Sequence, residues 1–515
     1  MTRPLLIPGE TCATTVENTR GGLLVDGRDF YRAFYQAACK AEHTILMAGW
    51  QFSSGVELIR GEDATSCDLP TKLVDLLTEL CKRKPDLHVY MLPWDSSPIF
   101  TFEREPLQRL KFRLKGHKHI QWKMDNCHPP GASHHQKLIT IDRAIAFVGG
   151  MDVCDSRWDD RKHAAHVKER VSGSKEYTPY HDVQAYLTGD AVDVLRGWFC
   201  ERWLHASGEK LDLADCPRTS IDIKPTFEVS APRVALARTW PKMETHREIR
   251  ELWHLHARAI GSAKHLIYIE NQYYSSDEIT QALVTRMRSD QENQLEIVLV
   301  LPQKSAGFKE RISIGVYQQR IFEKLTAVAA RTGHQLGVYY HCASGPDGDV
   351  PVFIHAKVLA VDDRFLLVSS ANLSNRSMGF DTELGLAWET PEPSDSLRAA
   401  RLDLLGEHCG LDAHGAEGIL GPTAGLVARL DELARGKQHH LRIHRRNVDE
   451  KPGWLLAKFI PDETPFDPDD PKSFTEALPE PGAWLDRLFR DPLEIVARGS
   501  RQFRKGLRQR KLKAG

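Results

Sequence analysis

Two stretches of this chain carry a histidine and a lysine two residues apart, with an aspartate five residues after the lysine. They are His135-Gln136-Lys137 with Asp142, and His355-Ala356-Lys357 with Asp362. The second lies 220 residues after the first, from 135 to 355. One copy alone says little, because three fixed positions recur by chance in many chains. A copy in each half is the kind of self-similarity that marks a duplicated architecture. A His beside a Lys suits an anionic, oxygen-rich group such as a phosphate. Two such pairs together would meet the needs of phosphodiester cleavage by covalent catalysis. Those needs are a nucleophile, a proton donor for the departing oxygen, and cations for the developing charge.

The elements that must position these residues also repeat. In both copies the His-x-Lys opens an apolar run. A turn follows at Asp142-Arg143 and at Asp362-Asp363-Arg364, then a second apolar run from Ala144 to Val148 and from Phe365 to Val368. This reads as a β-hairpin twice over. Period 2 on a strand would put His135 and Lys137 on one face, and likewise His355 and Lys357, leaving His134 on the opposite face. Small residues close each hairpin, at Gly149-Gly150-Met151-Asp152 and Ser369-Ser370-Ala371-Asn372. Trp50-Gln51 and Asn271-Gln272 each end an apolar strand. Gln51 stands 84 residues before His135, and Gln272 stands 83 before His355.

Helical spacing is expected over Phe30–Lys40, Thr71–Arg83, Glu103–Gly116, Asp190–Ala206, Glu244–Ser262 and Ile312–Arg331, and around Gln281–Met287. Strands are expected over His43–Phe52, His88–Leu92, Leu266–Tyr274 and Leu295–Leu301. The segment Lys162–Glu176 is charged and expected to be exposed. Such alternation suggests layered α/β domains. The expected division is 1–220 for the first half, 236–430 for the second, and 431–515 for a C-terminal extension.

These residues resemble the phospholipase D superfamily, whose signature is the duplicated His-Lys-Asp motif. The likeness extends beyond the motif. Gly149 to Asp159, Tyr180-His181-Asp182-Val183 and Ile267 to Tyr274 are similar to flanking segments of eukaryotic-type phospholipases D. The resemblance runs over roughly residues 20 to 430. It implies two similar α/β/α sandwich domains with mixed β-sheets, related by a pseudo-twofold axis, with the active site at their interface. It implies a phosphohistidine intermediate, with no cofactor and no essential metal. His135 would be the nucleophile and His355 the acid/base, with Lys137 and Lys357 on the non-bridging oxygens. Asp142 and Asp362 would have a structural or orienting role rather than attack. Asn372 would line the phosphate region. Its counterpart Asp152 departs from the family's usual Asn, and a carboxylate repels phosphate, so it would orient a His or Lys. Glu383 and Asp182 are candidates to fix imidazole tautomers. Gln272 and Trp50 are further candidates for the substrate region. Trp50, Trp94, Tyr273 and Tyr274 could line an acyl-chain or headgroup pocket, although aromatics at strand ends more often belong to the core.

Composition narrows the function. The 515 residues carry a formal net charge of −1, which argues against a broad nucleic-acid footprint. No apolar run approaches the roughly 18 residues of a membrane span, and the N-terminal stretch is too short for a secretory signal. Ten cysteines lack Cys-x-x-Cys spacing, as expected of reduced thiols in a cytoplasmic protein. Cys127 and His128 have no spaced partners that would suggest a metal. Arg498 to Lys513 has eight basic residues and no acidic one. The bland reading is a frayed terminus; the functional one is attraction to anionic headgroups. The expected partners are therefore a phospholipid and, peripherally, a membrane surface. Export by a route without a signal peptide remains open, and a monomer suffices to build the site. The leading expectation is a phospholipase D that forms phosphatidate from glycerophospholipids such as phosphatidylcholine and transfers phosphatidyl groups to alcohols. The alternatives are a nuclease of the same superfamily, a cardiolipin-synthase-like transferase, and a non-catalytic binding module.

Overall fold

Each motif feeds a β-hairpin in the interior of its own sheet. In the first half Leu138–Ile141 pairs with Ile145–Gly149. In the second Val358–Val361 pairs with Phe365–Ser369. The computed structural model describes residues 3–444, apart from 18, 96–107, 212, 214–215, 244–245, 290–292, 305–307, 347 and 437–438, together with Asp467. The first sheet has eight strands and the second eleven.

A run of strands repeats between the two sheets in the same order. In the first it is Gly21–Val25, Val183–Leu187, Ile145–Gly149, Leu138–Ile141, Thr44–Gly49, His88–Pro93 and Ile120–Trp122. In the second it is Arg233–Trp240, Glu383–Glu389, Phe365–Ser369, Val358–Val361, Leu266–Glu270, Glu296–Val300 and Gln335–Gly345. Pairing is antiparallel up to the strand that precedes each motif and parallel beyond it. The fold is thus α/β with mixed sheets. The parallel members read as continuous apolar runs because both of their faces are covered.

Helices cover each sheet, and three apolar cores result. One lies between the first sheet and the helices Asp26–Lys40 and Leu73–Arg83. Another lies between the second sheet and the helices Glu251–Ser262, Asp277–Ser289 and Phe308–Thr332. The third joins the two sheets, with the helices Asp190–Ser207, Asp395–Cys409 and Leu426–Gly436 packed into it. Two pieces of chain cross between the halves. The N-terminal strand Thr14–Val16 adds to the second sheet and Phe227–Val229 to the first.

Three sequence expectations need correction. The helix expected from Glu244 starts at Glu251, because Ile249–Arg250 pairs as a strand with Thr239 and Trp240. His163 and Arg170, in the segment expected to be exposed, are fully buried; Asp159 binds both. The third concerns the motif itself. His135 and Lys137 precede the strand rather than lie on it, and so do His355 and Lys357. Their backbones pair across the halves instead: His135 N donates to Thr382 O at 3.0 Å and His355 N to His181 O at 2.8 Å. The basic helix is described as Gln108–Lys115; its expected start, and the basic C-terminal stretch, lie outside the described residues.

Asp142 and Asp362 occupy the hairpin turns with φ of 49° and 51°. Asp142 accepts from the backbone N–H groups of Glu42, His43 and Thr44 at 2.7 to 2.9 Å. Asp362 does the same for Lys264, His265 and Leu266 at 2.6 to 2.8 Å. Both carboxylates clamp the start of the neighbouring strand, at the hairpin end away from the His-Lys pair. Asp142→Ala would orphan three buried or half-buried donors, and about 3 kcal/mol of stability should go. Urea unfolding checks this. Activity per folded molecule should stay within a few-fold of wild type, and a loss of a hundredfold in a fully folded variant would contradict the architectural role.

Candidate active site

The two histidines meet through carboxylates that come from the opposite half. Glu383, at the start of its strand, takes Nδ1 of His135 at 2.9 Å. Asp182, between Tyr180–His181 and Val183–Leu187, takes Nδ1 of His355 at 2.6 Å. Each imidazole therefore engages a buried carboxylate through Nδ1. This fixes the ring and leaves Nε2 as the nitrogen for chemistry.

Both carboxylates are fully buried. Burial pushes the Glu383 carboxyl up to about 8, against the lowering effect of hydrogen bonds from Ser370 and Ser377. Those hydroxyls donate at 2.5 and 2.6 Å. Burial raises Asp182 to about 6, opposed by Lys357 and by the N–H of Val183. The imidazoles are pushed the other way. Burial, then the charges of Lys137 and Lys357, hold His135 well below the usual range. Burial, Lys357, Arg157 and Lys137 do so for His355. Two histidines from one chain's two halves thus share one field of cations.

The lysines differ in their partners. Lys137 Nζ sits 3.1 Å from Asp152 Oδ2. Lys357 Nζ donates to Gln272 Oε1 at 3.1 Å, lies 3.2 Å from His355 Nδ1, and also contacts the His355 carbonyl. Burial lowers Lys357 to about 7. Asp152 also accepts from Trp50 N at 2.8 Å, so the carboxylate that breaks the symmetry orients a lysine. Asn372 is buried beside the Ser377 hydroxyl, which its N–H reaches at 3.1 Å. Its side-chain oxygen has no hydrogen-bond partner among the described residues; toward an oxyanion only the amide NH2 could donate.

The remaining sequence candidates separate. Trp50 packs against Trp94 with ring centroids 5.6 Å apart, while Tyr274 is fully buried core against Phe322. His134 turns away from the pair to Thr382 Oγ1 at 3.0 Å and Asp125 at 3.1 Å. His128 accepts from Trp94 Nε1 at 2.8 Å. His181 lies in a separate buried cluster with Asp26, Glu270 and Glu407.

Sequence reasoning passed over three contributors. Arg157 has its guanidinium over the Tyr180 ring at 5.1 Å and adds positive charge beside His355. Ser370 and Ser377 hold Glu383. Only the small-residue run after the second hairpin hinted at the first of these serines, and nothing in the spacing pointed to the other two residues.

Comparison with known proteins places the chain in a family. A family model described as "Phospholipase D" matches residues 37–307. One described as "Cardiolipin synthase, PLD-like domain" matches 257–400. Phospholipase D A of Dictyostelium discoideum is 25% identical over 473 residues, covering 76% of this chain and 35% of that protein. Phospholipase D alpha 4 of Arabidopsis thaliana is 22% identical, covering 75% of this chain and 64% of that protein. The chain thus spans about one third to two thirds of the length of these relatives. Among solved structures, phosphatidylserine synthase of Haemophilus influenzae Rd KW20 overlays with a TM-score of 0.50 at 14% identity, covering 82% of this chain and 95% of that one. That likeness speaks to the fold.

Proposed function

The chain belongs to the phospholipase D superfamily, which makes it an enzyme acting on phosphodiester bonds, and from there we propose that it is a phospholipase D. It cleaves glycerophospholipids such as phosphatidylcholine to phosphatidate and free headgroup, and passes the phosphatidyl group to a primary alcohol when one is present. The observation that carries this reading is the crossed pair of His–carboxylate contacts. Each half's imidazole is oriented by the other half, so both must work at one centre.

In this mechanism His135 Nε2 attacks phosphorus. The phosphorus–oxygen bond to the headgroup breaks as the phosphorus–nitrogen bond forms. His355 Nε2 delivers the proton to the leaving alcohol. It then takes a proton from water or an incoming alcohol, whose oxygen displaces His135. Lys137, Lys357 and the Asn372 amide bind the non-bridging oxygens, where charge accumulates. The neutral state of His135 at pH 7 suits a nucleophile. An anionic phosphodiester would favour protonation of His355, supported by Asp182. Trp50, half-buried, offers an apolar flank for the lipid.

Incubating the protein with phosphatidylcholine and ethanol tests the reading. Phosphatidylethanol beside phosphatidate is the expected result. Lipid left intact by a preparation that cleaves plasmid DNA would move the assignment to a nuclease of the same superfamily.

Lys357 sets a pH dependence. With its ammonium lowered to about 7, it loses charge as pH rises through neutrality, and the anionic substrate loses a cation. KM should climb between pH 7 and 9, by at most about tenfold per unit. Lys357→Arg stays charged over that range and should flatten the curve. A wild-type KM that does not change from pH 6 to 9 would remove this role.

A further inference from the structure

Behind the catalytic pair lies a second constellation that the proposed reaction does not use. Asp26, His163, His181 and Glu407 are buried together, and one donor atom from each lies within 4.8 Å of the other three. His163 Nε2 and His181 Nδ1 are 2.9 and 3.0 Å from the same oxygen, Glu407 Oε1. Asp26 presents Oδ1 to His181 at 3.0 Å and Oδ2 to His163 at 3.3 Å. Oδ2 of Asp26 is buried and accepts no hydrogen bond. We infer that these four residues form a site for a divalent transition metal, Zn2+ by donor type, that ties the two halves together.

Three observations support it. The first is the spacing. Ligands about 2.0–2.1 Å from a tetrahedral zinc stand roughly 3.3 Å from one another. Four His–carboxylate contacts in the cluster measure 2.9 to 3.3 Å and need to open by only a few tenths of an ångström; the other donor pairs lie within 4.8 Å. The second is how each ligand is braced from outside. Metal-binding histidines almost always give their other ring nitrogen to a carboxylate or carbonyl. Here His163 Nδ1 meets Asp159 Oδ2 at 3.0 Å and His181 Nε2 meets Glu270 Oε2 at 2.9 Å. Those carboxylates are held in turn, Asp159 by Arg170 at 3.1 Å and Glu270 by the Tyr268 hydroxyl at 2.5 Å. The free oxygen of Glu407 is taken by Arg161. The third is an unsatisfied atom: Asp26 Oδ2 is buried within the cluster with no hydrogen-bond donor. Asp26 and His163 also hold φ of 65° and 45°, unusual for residues other than glycine.

The site spans the fold. Asp26 starts the first helix of the first half, while Glu407 lies on the helix Asp395–Cys409 of the second. His181 precedes Asp182, the residue that orients His355. Metal here would stiffen the backbone that carries the catalytic carboxylate without touching substrate. Sequence spacing could not reveal it, because the ligands run from position 26 to position 407.

The test is the metal content of the full chain, expressed with zinc in the medium and purified without a polyhistidine tag. About one equivalent of zinc per chain is expected. 1,10-Phenanthroline should lower Tm by about 5 °C or more, ZnCl2 should restore it, and the non-chelating 1,7-isomer should do nothing. His163→Gln and Glu407→Gln should lose the ion, while His355→Ala keeps it. Less than about a tenth of an equivalent in wild type, with no response of Tm to added ZnCl2, would overturn the site and leave a self-neutralised ion cluster. Full zinc content in folded His163→Gln and Glu407→Gln would also overturn it, since the ion would then lie elsewhere.

Discussion

His135→Ala and His355→Ala should each reduce phosphatidylcholine turnover by at least about 10⁴-fold, because residues that act as one unit fail together. The two losses differ in kind. Choline is a poor leaving group and needs a proton, so either variant is silent with the natural lipid. From p-nitrophenyl phosphocholine the nitrophenolate leaves without needing a proton. With this substrate His355→Ala should still release one burst of nitrophenolate per active site and then stall. His135→Ala should show no burst. The reverse pattern would exchange the roles of the two histidines. This matters because their surroundings are nearly symmetric: each is buried, each is bound by a carboxylate from the other half, and each lies among the same lysines. What separates them is Arg157 beside His355, and a carboxyl raised to about 8 at His135 against about 6 at His355.

Asp182→Asn and Glu383→Gln keep shape, remove the charge and turn one acceptor oxygen into a donor. Each should lower kcat by about 10²–10⁴-fold with a small change in KM, the effect of losing an oriented acid or base. An effect on KM alone would show that the carboxylate serves binding. Glu383→Gln carries a second signature, in stability. The folded-state pKa of Glu383 is raised above its unfolded value. Its stabilising contribution is therefore complete below about pH 4 and is lost as pH rises through about 8. The Gln variant has no such slope. Relative to wild type it should gain at least about 1 kcal/mol between pH 5 and pH 9 in chemical denaturation. A pH-independent difference would mean that Glu383 ionises normally in the folded protein.

Much of this site was legible because its chemistry is repeated. His135 and Lys137 could be found from His355 and Lys357, and the hairpins followed from apolar runs broken at Asp142 and Asp362. The turn aspartates each bind three backbone donors of the neighbouring strand, a contact that spacing alone does not show. Glu383 and Asp182 could be singled out as carboxylates, but not matched to the imidazole of the opposite half, since periodicity carries no information about contacts between halves. The same limit explains why period 2 alone puts His135 and His355 on strands. Their N–H groups pair with Thr382 and His181 across the interface, not with their own sheets. It also explains the segment Lys162–Glu176, whose charges read as solvated until Asp159 and Glu407 are seen to bury His163 and Arg170 among them. No helix among the described residues is long and apolar enough to cross a membrane.

The central claim is a covalent bond between phosphorus and His135. His355→Ala, mixed with p-nitrophenyl phosphocholine and stopped in denaturant at alkaline pH, where phosphohistidine survives, should gain the mass of one phosphocholine group. Peptide mapping should place it on His135. Nitrophenolate released without any adduct, or an adduct on another residue, would contradict the account.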